Sequence, residues 1–310
     1  GLFHRAIAQS GCLLSAQDRA AAEQHGMTLA AELGCPSTPA PSAPPGPPDD
    51  AQAATAACLR ALPVADILAA SPDQLQLAAG TGWGPVPGGK ILPRPTRDAF
   101  AVGAVNRVPF IQGTNHDEAT LFIAIELDPG DDITAEEYSG ALRIRFEENA
   151  AAVEAEYPAG DYPSPTLALA AVLTDSIFAC PARATTRQLA RRMPTYLYEF
   201  NDPDAPPFVP ADFPLGAYHA AELQYVFGVL PVLGVRPEFT PQQAELSDRM
   251  IRYWTAFAHR GVPLAWGAPV WLPSLLGKVQ NLAPGAVGPM RDADFAADHH
   301  CAFWDSLPTG

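Results

Sequence analysis

Basic side chains are scarce in this chain. It carries 19 lysines and arginines against 34 aspartates and glutamates, for a formal net charge of −15 and a pI near 4.7. Phosphate neutralisation needs clustered Lys and Arg, so a nucleic-acid partner is excluded. The acidic surface favours solubility and repels anionic partners. No apolar run reaches the roughly 18 residues of a membrane span. Cysteine is limited to five residues, an odd number, so at most two disulfides form and one thiol stays over. There is no initiator methionine; the chain opens Gly1-Leu2-Phe3-His4, and a missing signal peptide therefore carries no weight. What is plentiful is ordinary: 48% hydrophobic residues is normal for a globular protein, and 310 residues suffice for one large domain or two small ones.

The elements separate by pattern. Phe3 to Gly11 is a short apolar run ending in Ser-Gly and suits a buried strand leaving a core. Residues 16–34 are Ala-rich, with Leu29 and Leu33 at i, i+4 and Gly34 as a stop, which reads as a helix. Proline is then so dense over 36–48 that helix and sheet are forbidden and extended, solvated chain is favoured. Because Cys35 and Cys58 flank it, 36–50 reads as a surface insertion; the alternative is a linker. Residues 51–70 look helical, and 79–93, rich in Gly and Pro, look like loop or edge strand. Val108 to Gly113 is apolar and closed by glycine, as in a buried parallel strand. Helices are expected over 134–156 and 165–193, with Pro181 in the first turn of a new one. Thr195 to Phe200 alternates in the β manner. Thr240-Pro241-Gln242-Gln243 has the form of a capping box with proline at N1. It heads a helix through Leu246, Met250, Trp254 and Phe257 that Gly261 can end. Strands separated by long helical stretches predict an α/β fold.

Two segments carry acid–base chemistry. Gly113-Thr114-Asn115-His116-Asp117-Glu118 follows the first predicted central strand, and Gly216-Ala217-Tyr218-His219-Ala220-Ala221-Glu222 follows the next. Sites in open α/β sheets form beyond the carboxyl ends of strands. A carboxylate bound to an imidazole fixes its tautomer and stabilises the imidazolium, so the histidine can take a proton from a nucleophile and pass it to a leaving group. Asp117 competes with Glu118 for the acid and His116 with His219 for the base, and spacing does not choose between them. An acid followed by a histidine is the second part of the order Ser…Asp/Glu…His of α/β-hydrolases, whose serine comes earlier in a G-x-S-x-G turn. No serine here has glycine two positions before it. The chain therefore reads as the latter part of a hydrolase, cut just after its nucleophile. His299-His300 beside Cys301 lacks a second ligand group at suitable spacing, and no metal is expected there.

At these residues the chain resembles the type-B carboxylesterase family, which includes the cholinesterases. Phe3-x-Arg5-Ala6-Ile7-x-Gln9-Ser10-Gly11 resembles the strand after the family's nucleophile turn, and Gly84-Pro85-Val86 through Leu92-Pro93 its segment leading towards the acid. Gly113-Thr114-Asn115-x-Asp117-Glu118 is similar to its acid motif, with Ala119 where glycine is usual. His219-x-x-Glu222-Leu223-x-Tyr225-Val226-Phe227-Gly228 is similar to its base motif, with Ala220 for glycine; alanine is strained there if the backbone needs a positive φ. Met250 to Ala258 and Cys301-Ala302-Phe303-Trp304 resemble its C-terminal helix and closing segment.

The resemblance implies the α/β-hydrolase fold, with residues 1–310 as the C-terminal part of a single domain. It implies a serine esterase working through an acyl-enzyme when intact, on a small-molecule ester, with no cofactor and no metal. Glu118 aligns with the triad acid and His219 with the base. Ser10 and Glu222 support them, and Ser10 is not the nucleophile. Ala79 to Trp83 align near the acyl side. Cys35 and Cys58 resemble the ends of a small disulfide loop, and Cys180 and Cys301 a pair bridged in some members, leaving Cys12. Two disulfides imply an exported protein. These residues alone are expected to be inactive and, with sheet faces uncovered, to aggregate or stay partly molten. The competing expectation is a non-catalytic, cholinesterase-like binding or adhesion module.

Overall fold

The two apolar runs at 108–113 and 195–200 become the central strands of a five-stranded sheet. β1 (Ala6–Gln9), β2 (Phe110–Asn115), β3 (Thr195–Phe200), β4 (Lys278–Leu282) and β5 (Gly288–Arg291) lie side by side in chain order. They are parallel from β1 to β4, and β5 returns antiparallel to β4. The computed structural model describes residues 1–11, 19–37, 50–71, 84–127, 131–228 and 237–307. Cys12, most of the proline-rich insertion and Ala79 to Trp83 lie outside the described residues.

β3 departs from the alternation read in its sequence, since all six of its residues are buried. Successive side chains point to opposite faces, and here both faces are covered. Tyr196, Tyr198 and Phe200 pack with Leu246, Met250, Tyr253, Trp254 and Phe257, while Leu197 packs with Cys180, Val279, Phe295 and Cys301. A parallel strand closed in on both sides must then find partners for its polar members, which Glu199 does in the site below. Gly113 of β2 is opposite Tyr198, and a Cβ there would come within 1.9 Å of the tyrosine ring, so no larger residue fits.

Two compact units form, residues 14–102 and residues 1–13 with 103–310. The first contains α1 (Arg19–Glu32), α2 (Asp50–Ala61), α3 (Val64–Ala70) and α4 (Thr96–Val102). Cys35 and Cys58 are joined in a disulfide with Cα atoms 5.7 Å apart, and the Thr55 hydroxyl donates to the Pro36 carbonyl at 2.7 Å. Closing a loop of this size restricts the unfolded chain by about 3 kcal/mol.

The second unit contains the sheet and α5 (Glu118–Glu126), α6 (Ala135–Phe146), α7 (Ala150–Glu156), α8 (Pro165–Leu173), α9 (Cys180–Ala190), α10 (Leu223–Phe227), α11 (Pro241–Arg260), α12 (Asp292–Asp298) and α13 (Cys301–Ser306). The single helix expected over 134–156 is broken, because Glu147 adopts φ 47° and ends α6. In the other direction, α8 and α9 run on through a π-helical stretch, Thr174–Ala179, so that Pro181 breaks nothing. The resulting run Pro165–Ala190 has the length and hydropathy of a membrane span, contrary to the sequence reading, but 72% of its most apolar window is buried inside the protein. It is a core helix. α11 has the expected capping box, with the Gln243 amide donating to Thr240 Oγ1 at 3.3 Å and the Thr240 amide to Gln243 Oε1 at 2.9 Å, and it ends at Gly261 with φ 74°. Cys180 and Cys301 are bridged and tie α9 to α13.

Candidate active site

The turn after β2 and the loop after β3 meet at the carboxyl end of the sheet. Glu118 opens α5 and is fully buried, and its Oε2 lies 2.7 Å from His219 Nδ1. Its other oxygen accepts three hydrogen bonds: from Ser10 Oγ at 2.5 Å, from the Asn115 amide at 2.7 Å and from Thr114 Oγ1 at 3.1 Å. The carboxylate is thus held by β1 and β2, with one oxygen reserved for the histidine. The His219 side chain is about a third exposed, and Phe122 and Phe178 lie against its ring at centroid distances of 4.7 and 5.5 Å.

The two alternatives left by spacing separate in space. Asp117 faces away from His219. Its Oδ2 accepts from the Ala217 amide at 2.8 Å, its amide donates to the Ala217 carbonyl at 3.0 Å, and its Oδ1 takes His116 Nδ1 at 2.9 Å. Gly216 must be glycine for this, since φ is 61° and a Cβ would lie 2.2 Å from Asp117 Oδ2. Asn115 Nδ2 donates to the Tyr218 carbonyl at 2.7 Å, Thr120 Oγ1 to the Leu215 carbonyl at 2.7 Å, and the His219 amide to the Glu118 carbonyl at 3.2 Å. The base loop is therefore laced to the acid turn by backbone and side chain alike.

Glu222 is buried one helical turn past His219. It accepts from Gln9 Nε2 at 2.9 Å and Asn115 Nδ2 at 2.7 Å. Burial, reinforced by the Glu118 charge, raises its pKa above the usual carboxylate value. For His219, burial favours the neutral ring. The Glu118 hydrogen bond and the charges of Glu118 and Glu222 outweigh it, leaving the pKa above the ordinary 6.5.

The two alanines that stand in place of glycine differ in consequence. Ala119 is helical, fully buried, and its amide donates to Thr174 Oγ1 at 3.0 Å, so it carries no strain. Ala220 has φ 69°, a conformation that costs an L-residue about 1–2 kcal/mol. Glycine relieves that strain but gives back part of the gain through its freer unfolded chain. Ala220→Gly is expected to stabilise the natural protein by up to about 1 kcal/mol; chemical denaturation checks it, and an unchanged or lower midpoint contradicts the strain.

A second histidine network went unread in the sequence. His299, at 3% exposed, sits between two carboxylates, with Nδ1 2.5 Å from Asp175 Oδ1 and Nε2 2.6 Å from Glu199 Oε1. Burial works against its charge, yet the two carboxylates prevail and hold its pKa up at about 10. Asp175 also accepts from the Tyr157 hydroxyl at 2.8 Å, which in turn accepts from Trp304 Nε1 at 2.7 Å. The partners lie 100 and 124 residues away in sequence, on β3 and in the π-helical stretch, so no local spacing announces them. Cys301, bridged to Cys180, is no metal ligand. Donor atoms of His116, Glu199 and Asp298 do lie within 4.8 Å of one another, and both His116 ring nitrogens are engaged by Asp117 and Asp298.

Comparison with known proteins bears on this arrangement. The model of the carboxylesterase family matches residues 1–304. The chain is 28% identical over 289 residues to an acylcarnitine hydrolase of Rattus norvegicus, covering 87% of this chain and 47% of that protein. It is 29% identical over 306 residues to a bile salt-activated lipase of Mus musculus, covering 89% and 47%. It is 30% identical over 213 residues to a para-nitrobenzyl esterase of Bacillus subtilis (strain 168), covering 66% and 41%. The chain thus spans about half the length of the curated relatives it matches. With a family match over nearly its whole length and a largely parallel sheet flanked by helices, the chain belongs to the carboxylesterase family, and its fold is that of the α/β-hydrolases.

Proposed function

We propose that the natural protein containing this chain hydrolyses carboxylic esters through an acyl-enzyme, with Glu118 and His219 as acid and base of the triad. The observation that carries the reading is the 2.7 Å contact between a buried carboxylate and a half-buried imidazole at the carboxyl end of the sheet. Glu118 holds the proton on Nδ1, which leaves Nε2 as the basic nitrogen. Nε2 takes the proton of a serine hydroxyl as its oxygen attacks the ester carbonyl, then gives it to the departing alkoxide. Water repeats the sequence on the acyl-enzyme and frees the acid. The serine is supplied from outside these residues, which we take as the latter part of one hydrolase domain, with 36–50 as an insertion in it. An ester substrate is supported by the relatives, which include an esterase and a lipase. The two disulfides support an exported protein. A purely binding module has no need of the pair.

The test is turnover of a chromogenic ester by the full-length protein with and without His219→Ala; activity within about tenfold of wild type ends the proposal. A second expectation concerns pH. Only neutral His219 accepts the serine proton, and its pKa lies above 6.5, so kcat/KM rises through a midpoint above 6.5. A pH–rate profile with its acid limb at or below 6.5 contradicts the assignment.

A further inference from the structure

α9, the turn at Ser274–Leu276 and the start of β4 border an open cavity of about 270 Å³, with Arg187 and Arg191 exposed at its rim. Its wall includes Arg187, Arg191, Lys278, Thr186, Ser274 and Asp292. We propose that this cavity binds a small oxyanion of the phosphate class.

Charge is the first argument. In a protein of net charge −15, three cationic side chains converge on one cavity, and none makes an ion pair with a described residue. Arg187 in the last turn of α9 and Arg191 at its C-cap stand four residues apart, a like-charge spacing that is unfavourable by itself. Asp292 is the carboxylate in the wall, and it is already committed. Arg183 Nε meets its Oδ1 at 3.0 Å and Arg183 Nη2 its Oδ2 at 2.7 Å, while Asp305 also pairs with Arg183 and the Lys278 charge acts on Asp294, so Arg187 and Arg191 are the cations of the wall with no such carboxylate among the described residues. With 34 acidic residues in the chain, a pocket whose wall carries three cations and one carboxylate is the reverse of what composition predicts.

Hydroxyls are the second argument. Thr186, 1% exposed, and Ser274 each carry a buried hydroxyl with no hydrogen-bond partner. A helical threonine ordinarily bonds back to the preceding turn, and an orphaned buried hydroxyl is costly. Both residues line this cavity, so one ligand in it accepts from both after a small rotation about their Cα–Cβ bonds.

Shape and donor count narrow the ligand. Two guanidiniums, one ammonium and two hydroxyls are more donors than a carboxylate's two oxygens can serve, whereas a phosphate presents three or four acceptor oxygens and matches guanidinium geometry two bonds at a time. The cavity exceeds several water volumes of about 30 Å³ each, enough for a phosphate with its remaining water or with a small organic substituent.

The experiment is calorimetric titration of the natural full-length protein with inorganic phosphate, at constant ionic strength maintained with chloride. One saturable site is expected, and phosphate above its Kd should raise the melting temperature with the logarithm of its free concentration. Arg187→Gln and Lys278→Gln should each weaken binding at least tenfold, and Thr186→Val, nearly isosteric, at least threefold. All three should keep the unliganded melting temperature within a few degrees and leave ester hydrolysis unchanged. Glycerol phosphate as a second titrant separates the sources. Tighter binding of the monoester assigns a phosphorylated metabolite, and equal or weaker binding assigns the free ion. Absence of saturable heat in the wild type, or one affinity shared by the wild type and the three variants, overturns the proposal.

Discussion

Glu118→Gln in the full-length protein is expected to lower kcat for ester hydrolysis by about 10⁴-fold, and His219→Ala by a similar factor. The size of the first effect follows from which atoms the site presents. Oε1 of Glu118 is surrounded by three donors, Ser10 Oγ, Thr114 Oγ1 and the Asn115 amide. A glutamine must therefore keep its carbonyl oxygen there, which turns its NH₂ towards His219 Nδ1. That forces Nδ1 to accept and moves the ring proton to Nε2, the nitrogen that has to take the serine proton. Volume and packing barely change while the tautomer is inverted, so the folded protein should retain its melting temperature. Ser10→Ala removes one of the three donors and leaves the Glu118–His219 contact, so its loss should be far smaller. Purified variants assayed on one chromogenic ester decide the matter. Activity of Glu118→Gln within tenfold of wild type refutes the role given to the carboxylate, and Ser10→Ala losses equal to it would make Ser10 more than a support.

Removing His299 is expected to have the largest effect on stability. Its imidazolium bridges the carboxylates of Asp175 and Glu199 in a space where all three side chains are at most 5% exposed. Taking away one partner of a buried ionic group leaves charge uncompensated and costs about 3–5 kcal/mol. His299→Ala should accordingly lower the denaturation midpoint sharply, and its effect should depend on pH. The folded-state pKa of about 10 lies above the ordinary 6.5, so the native state holds the proton more tightly than the unfolded chain. The stabilisation is complete below pH 6.5 and is lost as pH climbs from there through 10. His116, raised to about 11 by Asp117 and Asp298 in spite of its burial, acts in the same sense. Urea titrations at pH 6.5 and pH 9.5 should show the wild type losing stability and the His299→Ala variant losing less. A variant whose midpoint equals that of the wild type at pH 6.5 means that the network is not ionic.

The strands legible in the sequence were those whose apolar runs end in glycine or alternate plainly, at 108–113 and 195–200. β4 and β5 carry Gln280, Asn281, Pro289 and Arg291, a mixture with no clear period, and were not anticipated. The reason is physical: among the described residues β5 pairs with β4 alone, and its pairing rather than its composition makes it a strand. The break at Glu147 was likewise invisible, because a positive φ at a non-glycine residue has no composition signal. The π-helical join between α8 and α9 was misread for the opposite reason. Pro181 is a sound start signal, but proline in a first turn is equally acceptable to a helix that continues through wider turns.

By itself the sequence determined the acidic charge balance, the α/β class, and the two short segments from which an acid and a base are drawn. Those properties follow from composition and local periodicity. Spacing left Asp117 against Glu118 and His116 against His219 undecided, because neighbours in a turn differ by where their side chains point. The family motifs favour Glu118 and His219, and what only the tertiary structure supplied is the contact itself, by closing the loop after β3 onto the turn after β2. There Asp117 is occupied by the Ala217 amide, and Glu118 alone reaches the imidazole of His219. Contacts between residues a hundred positions apart depend on strand order and burial, as do the His299 network and the three cations gathered around one cavity.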